Sequence, residues 1–134
     1  MLPNLLIIGA MKCGTTSLHN YLNLHPEIYM QEEKELDYFI EKRNYKKGLN
    51  WYKSKFNSKN SKILGESSPY YTKYPLFKDV PKNIFNLIPD IKMIYIVRDP
   101  ITRLISHYKH NYMLGREKRS FKECFNRLEK IYIS

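Results

Sequence analysis

Gly9 and Gly14 bracket a short loop, Gly9-Ala10-Met11-Lys12-Cys13-Gly14, which leads into Thr15-Thr16-Ser17. These residue types at this spacing suit the capture of an anion. The first N–H groups of a helix have no partner within the helix and carry a partial positive charge. Glycines let the backbone come close to a phosphate, and Lys12 adds a full charge beside it. The G-x-x-x-x-G-K-[ST] loop of nucleotide kinases has the same glycine spacing, but Thr15 stands here where that loop has lysine. A kinase built this way would lose its contact to the β- and γ-phosphates. A glycine-bounded turn between strand and helix can also be purely structural, so the loop alone decides nothing.

A second basic site begins at Arg98, in the run Arg98-Asp99-Pro100-x-x-Arg103-x-x-Ser106-x-Tyr108. Arg98 leaves an expected strand, and Ser106 falls two turns along the helix that follows. Both could reach one further phosphate, Arg98 through bidentate charge-assisted bonds worth about 1.5–3 kcal/mol each. Asp99 is the only carboxylate placed after an apolar strand for Mg²⁺, and Arg98 beside it opposes a metal. His107 and His110 read as ordinary helix histidines.

The elements that must position these groups follow from periodicity. Leu5 to Ile8 is a strand running into Gly9, and Thr15 opens a helix with Leu18, Tyr21 and Leu22 on one face. Pro26 ends the helical pattern, and Ile28 to Met30 is a short extended piece. Gln31 to Lys62 is strongly charged and reads as an excursion from the core, holding a short helix with Leu49, Tyr52 and Phe56 on one face and a polar turn at Asn57 to Asn60. Ile63 to Glu66 is a second core strand. Leu76 to Ile88 has helical spacing, with Pro81 limiting where the helix starts. Lys92 to Val97 is continuous and apolar at Met93 to Val97, the pattern of a strand buried on both faces. Ile101, Leu104, Ile105, Tyr108 and Tyr112 make the stripe of the next helix, with Gly115 as its stop. Ser120 and Glu123 form a capping box before a last helix carrying Phe121, Phe125, Leu128 and Ile131.

Strands separated by helices imply parallel crossovers, hence an α/β fold with a central parallel sheet flanked by helices. Ligands in such sheets bind beyond the carboxyl ends of the strands. Loop 9–14, Glu66-Ser67-Ser68 and Arg98-Asp99 should therefore share one rim. The 134 residues suit a single domain. They end without a closing element, as the front part of a longer domain would. Net charge is +10, which fits an anionic ligand, but the lysines are scattered rather than striped, so nucleic acid is given little weight. No run reaches the roughly 20 apolar residues that span a bilayer, and no secretory leader is visible, so the expectation is a cytoplasmic protein. Cys13 and Cys124 form neither a metal spacing nor a disulfide framework. Oligomeric state is not legible.

Taken together, the motifs resemble the sulfotransferases that use 3′-phosphoadenosine 5′-phosphosulfate (PAPS), and most closely the type that includes the heparan-sulfate N- and 3-O-sulfotransferases and their bacterial relatives. The resemblance rests on Ile7 to Leu18, Leu24-His25-Pro26, Lys34 to Phe39, Tyr45 to Tyr52, Gly65 to Tyr71 and Arg98 to Tyr108, in matching order across nearly the whole chain. It implies a P-loop-like three-layer fold and one sulfotransferase-type domain over residues 1–134, incomplete at its C-terminus.

By this resemblance Lys12, Gly14, Thr15, Thr16 and Ser17 grip the 5′-phosphosulfate, with Lys12 stabilising the oxygen from which the sulfuryl group departs. Arg98 and Ser106 bind the 3′-phosphate that distinguishes PAPS from ATP. Glu35 matches the general base, worth about 10²–10⁴-fold in such reactions. No metal is expected, and the acceptor is a hydroxyl or amine on a carbohydrate or small molecule. Glu66 is expected to orient loop groups, while Trp51 and Tyr52 could line the acceptor cleft or anchor the excursion. Two positions depart from the family: Ser67, where some relatives carry lysine, and Asp37, where an acidic group would repel a sulfated or carboxylated acceptor. Both count against a heparan-like substrate. The competing readings are a P-loop nucleotide kinase and a non-catalytic module that binds PAPS or its product PAP (3′-phosphoadenosine 5′-phosphate).

Overall fold

A computed structural model describes residues 1–58, 60–124 and 126 of the chain. The chain divides into two compact units, Met1–Val97 and Arg98–Ser134. The first holds four strands, β1 (Leu5–Gly9), β2 (Ile28–Met30), β3 (Ile63–Ser67) and β4 (Lys92–Tyr95), all parallel and ordered β2-β3-β1-β4 in space. Leu5 lies opposite Gly65 and Lys92, and Ile7 opposite Ser67 and Ile94. Parallel neighbours need crossovers. Helices α1 (Thr15–Asn23), α2 (Gly48–Ser54) and α3 (Val80–Leu87) supply them in turn.

Alternate residues of β1 face opposite layers, as the pleat requires. Leu5 and Ile7 join Met30 beneath Leu18 and Leu22 of α1. Leu6 instead packs with Tyr52, Val80 and Ile84, from α2 and α3. The α/β sheet is thus covered on both faces, as expected. On α1 the buried positions are Thr15 and His19, not Tyr21, which is 70% exposed. Tyr21 lies about 100° round the helix from Leu22, off the stripe that runs through Leu18 and Leu22. Asn23 Oδ1 accepts from the Met30 N–H at 2.9 Å and ties the end of α1 to β2.

The expectation that residues 31–62 leave the core is wrong. Leu36, Tyr38, Phe39 and Ile40 are buried in the main cluster, with Tyr52 and Phe56. The Tyr38 ring stacks on Tyr52 at 4.0 Å, and Phe39 meets Tyr52 and Tyr71 edge-on at 5.4 and 5.5 Å. The segment hides its role because its apolar residues follow neither the helical nor the strand period. Left-handed turns at Glu35 (φ 58°) and Asp37 (φ 48°) aim them inward one at a time.

The second correction concerns β4. The strand spans Lys92–Tyr95 rather than reaching Val97, although Ala10 N–H donates to Ile96 O and Ile96 N–H to Gly9 O, each at 2.8 Å. It stands at the end of the strand order, and Met93, Tyr95 and Val97 are more than half exposed. An apolar run says that a strand tolerates burial on both faces; it does not say what covers it. The helix expected over 76–88 starts only at Val80, with Pro81 in its first turn where no N–H is needed.

In the second unit, α4 (Pro100–Met113) is capped by Asp99, whose Oδ1 accepts from the Thr102 N–H and hydroxyl, both at 2.8 Å. No residue of α4 is fully buried; within its expected apolar stripe Tyr108 stacks on Tyr112 and meets Phe121 edge-on at 5.1 Å. Leu114 closes the helix, and Gly115 follows at φ 68°. The capping box forms, with Glu123 Oε2 accepting from Ser120 N–H at 2.7 Å and Ser120 Oγ receiving the Glu123 N–H at 3.3 Å. Phe125, Leu128 and Ile131 lie outside the described residues, as does Lys59 in the 57–60 turn. Among the described residues, no helix is long and apolar enough to cross a membrane.

Candidate active site

The anion loop lies at the carboxyl end of β1. Gly9 is required by close approach, since a Cβ there would stand 2.7 Å from Thr72 Oγ1 and 2.8 Å from the Tyr95 ring. Lys12 adopts φ 66° and Gly14 φ 91°, so the chain reverses through two left-handed residues before α1 begins. A side chain that holds Lys12 in this region does so at a cost, a pattern common in ligand-binding loops. Gly14 occupies the N-cap and offers no side chain to the first-turn N–H groups of α1. Thr15 is buried, while Gly14, Thr16 and Ser17 are exposed around that helix end. The result is a helix N-terminus with open donors and a lysine beside it. Cys13 is buried and is not paired in a disulfide.

The loop bearing Glu35 comes to the same rim. The Glu35 N–H donates to Ser67 O at 3.0 Å, and the Asp37 N–H to Ser68 Oγ at 3.2 Å. Lys34 reaches the other way and donates to Thr16 Oγ1 at 2.5 Å. Glu35 itself is exposed. Ser68 N–H donates to Ile7 O at 3.0 Å, which sets the end of β3 beside the end of β1, from which loop 9–14 leaves.

Asp37 does not do what its charge suggested. It is 2% exposed and forms an ion pair with Arg43, so it presents no bare carboxylate to an acceptor. Burial raises its pKa, and Arg43 offsets part of that rise. The Arg43 guanidinium in turn lies over the Tyr70 ring, 4.0 Å from its centroid. Sequence reasoning missed this pair, although an aspartate and an arginine six residues apart around a buried aromatic run are its only signal.

Glu66 is fully buried and accepts from Tyr71 Oη at 2.5 Å and from Ser68 Oγ at 3.1 Å. Burial raises its pKa to about 7, against the lowering effect of the hydrogen bonds from Tyr71 and Ser68. Its contacts hold residues 66–71 in place, away from solvent. Tyr52 is fully buried and anchors residues 31–62; Trp51 is half-buried with Lys47 and Lys55 over its ring at 4.4 and 5.1 Å.

In the second unit, Arg98 is exposed just ahead of the Asp99 cap, and Ser106 is half-buried midway along α4. Hydrogen bonds from Thr102 lower the Asp99 pKa and occupy its carboxylate. Tyr108 Oη donates to Arg119 O at 2.8 Å. No cluster of three or more His, Cys, Asp or Glu placed to hold a metal occurs among the described residues.

Residues 2–132 match the family described as Sulfotransferase domain. The chain belongs to the sulfotransferase family. It is 36% identical over 133 residues to heparan sulfate glucosamine 3-O-sulfotransferase 5 of Homo sapiens, covering 98% of this chain and 36% of that protein. It is 37% identical over 111 residues to the membrane-associated sulfotransferase kil1 of Dictyostelium discoideum, covering 80% and 22%. The crystal structure of a sulfotransferase from Alicyclobacillus acidocaldarius superposes with a TM-score of 0.81 at 29% identity, over 97% of this chain and 58% of that one. The P-loop-like α/β architecture is therefore that of a sulfotransferase. The chain spans about a third or less of the length of these two curated relatives.

Proposed function

We propose that this chain carries the donor half and the base of a PAPS-dependent sulfotransferase site. The observation that carries the reading is the hydrogen bond from Glu35 to Ser67, which holds the carboxylate-bearing loop at the rim where the Lys12 loop opens. Lys12, Gly14, Thr15, Thr16 and Ser17 take the 5′-phosphosulfate, and Arg98 with Ser106 takes the 3′-phosphate. In transfer, Glu35 accepts the proton of an acceptor hydroxyl or amine, whose oxygen or nitrogen bonds to sulfur. The bond from sulfur to the phosphate oxygen breaks, PAP leaves, and Lys12 stabilises the charge that develops on that oxygen. PAPS is the co-substrate, and the step uses no metal.

A carbohydrate acceptor is the favoured class. Two relatives of different type are named for heparan sulfate, one a 3-O-sulfotransferase and one a bifunctional N-deacetylase/N-sulfotransferase. The pairing of Asp37 with Arg43 removes the acidic objection to an anionic sugar. Lys47 over the Trp51 ring offers a cation beside an aromatic face, which suits such a chain, while Lys55 over the same ring is paired with Glu33.

Transfer from ³⁵S-labelled PAPS to a panel of sugars, phenols and lipids, in the presence of a chelator, tests the reading. Label on a sugar acceptor, lost in Glu35→Gln with PAP affinity retained, is the expected result. PAP binding without transfer to any acceptor would point instead to the binding-module reading, and a nucleotide response only to Mg-ATP would point to a kinase.

A further inference from the structure

We infer that Lys34 is a second cation of the donor site, placed with the Ser67 hydroxyl to contact the sulfonyl end of PAPS; the inference rests on the PAPS reading above. Lys34 comes from the Glu35 loop, yet its Nζ donates to Thr16 Oγ1 on the first turn of α1, 18 residues back in the chain, at 2.5 Å. Among the described residues it makes no ion pair with a carboxylate. Its ammonium is partly withdrawn from water, and burial lowers its pKa despite the opposing charge of Glu35. A cation held this way, with a hydroxyl as its hydrogen-bond partner, is served by an anion.

The second observation is independent. Ser67 is 0% exposed, and its Oγ has no hydrogen-bond partner. Glu66 and Ser68 engage Tyr71 and each other on the α2–α3 side of the sheet. The pleat turns Ser67 to the other side, with Gly65, whose absent side chain is bordered by Met30 and Leu5 of the α1 layer. A buried hydroxyl without a partner is rare and calls for an explanation. Ser67 also receives the Glu35 N–H through its carbonyl. Lys34 thus ties the Glu35 loop to the first turn of α1, and the Ser67 carbonyl holds that same loop from β3. On the PAPS reading, the sulfonyl group passes between the α1 start and the Glu35 loop, the two elements that Lys34 joins.

Calorimetric titration of the 134-residue chain with PAPS, PAP and adenosine 3′-monophosphate tests this. Lys34→Met is expected to lose about tenfold to hundredfold in PAPS affinity. The loss on PAP, which lacks the sulfonyl group, is expected to be smaller, with none on the 3′-monophosphate. Lys34→Arg, which keeps the charge, is expected to bind PAPS within about threefold of the parent chain. Matching unfolding midpoints for the three proteins exclude a folding defect. Unchanged PAPS affinity in Lys34→Met would overturn the inference alone, as would equal losses on PAPS and PAP. A parent chain that binds neither PAPS nor PAP would overturn the donor reading and this inference with it.

Discussion

The main-chain N–H of Glu35 donates to the carbonyl oxygen of Ser67 at 3.0 Å, so a loop 32 residues away in sequence is pinned to the end of β3. This bond fixes the backbone of Glu35 and leaves its carboxylate exposed at the rim. Glu35→Gln is therefore expected to change the unfolding free energy by less than about 0.5 kcal/mol, as for exposed positions generally. Chemical denaturation with urea checks it. A loss of several kcal/mol would mean that the carboxylate is structural rather than free for chemistry.

Residues 31–62 supply core. Phe39 is fully buried among Tyr38, Tyr52 and Tyr71, and Phe39→Ala is expected to cost about 3–5 kcal/mol. Tyr21→Ala, at a 70% exposed position, is expected to cost less than about 0.5 kcal/mol. Comparing the two denaturant midpoints decides whether the segment is core or excursion.

Glu66 gives a pH signature. Its pKa rises from 4.5 to about 7 on folding, so the folded chain binds more protons than the unfolded one between these values. Its contribution to stability is fully present below pH 4.5, is lost as pH rises toward 7 and is flat above; the span is about 3 kcal/mol. Asp37, also raised by burial, acts in the same sense at lower pH. His19, lowered by burial and then by Lys34, acts oppositely, destabilising the fold as pH falls below 6.5. The difference between the parent chain and Glu66→Gln isolates the Glu66 term. Glu66→Gln is expected to gain relative stability from pH 5 to pH 8, and a constant difference would contradict this.

Gly9 tolerates no side chain. Gly9→Ala would place a Cβ against Thr72 Oγ1 and the Tyr95 ring, both under 3 Å, and push β1 away from its loop. Overpacking of this kind costs about 1–3 kcal/mol. The expected outcome is a lowered melting temperature together with weakened PAP binding, whereas Gly115→Ala, whose Cβ meets nothing within 4 Å, should leave PAP binding intact.

The parallel sheet, the β1 loop and α1 were legible because strand and helix periods are local signals bounded by glycine and proline. Residues 36–40 were not, because left-handed turns at Glu35 and Asp37 replace periodicity as the device that aims side chains. The exposure of β4 was illegible for another reason: Met93 to Val97 encode tolerance of burial and not what lies over the strand. Near the proposed site, the turn that carries Lys12 and the helix start at Thr15 could be read from spacing. The Lys34–Thr16 contact and the Asp37–Arg43 pair depend on where an irregular loop folds back, which no short-range pattern records.

Recognition of a 3′-phosphate in addition to a 5′ one sets a PAPS site apart from a kinase site, and calorimetry with two isomeric nucleotides reads it out. PAP and ADP carry the same two phosphates on the same nucleoside and differ in where the second is attached. The chain is expected to bind PAP at least about tenfold more tightly than ADP, without Mg²⁺, and Arg98→Ala is expected to remove the difference. Equal or tighter binding of ADP, or binding that appears only with Mg²⁺, would contradict it.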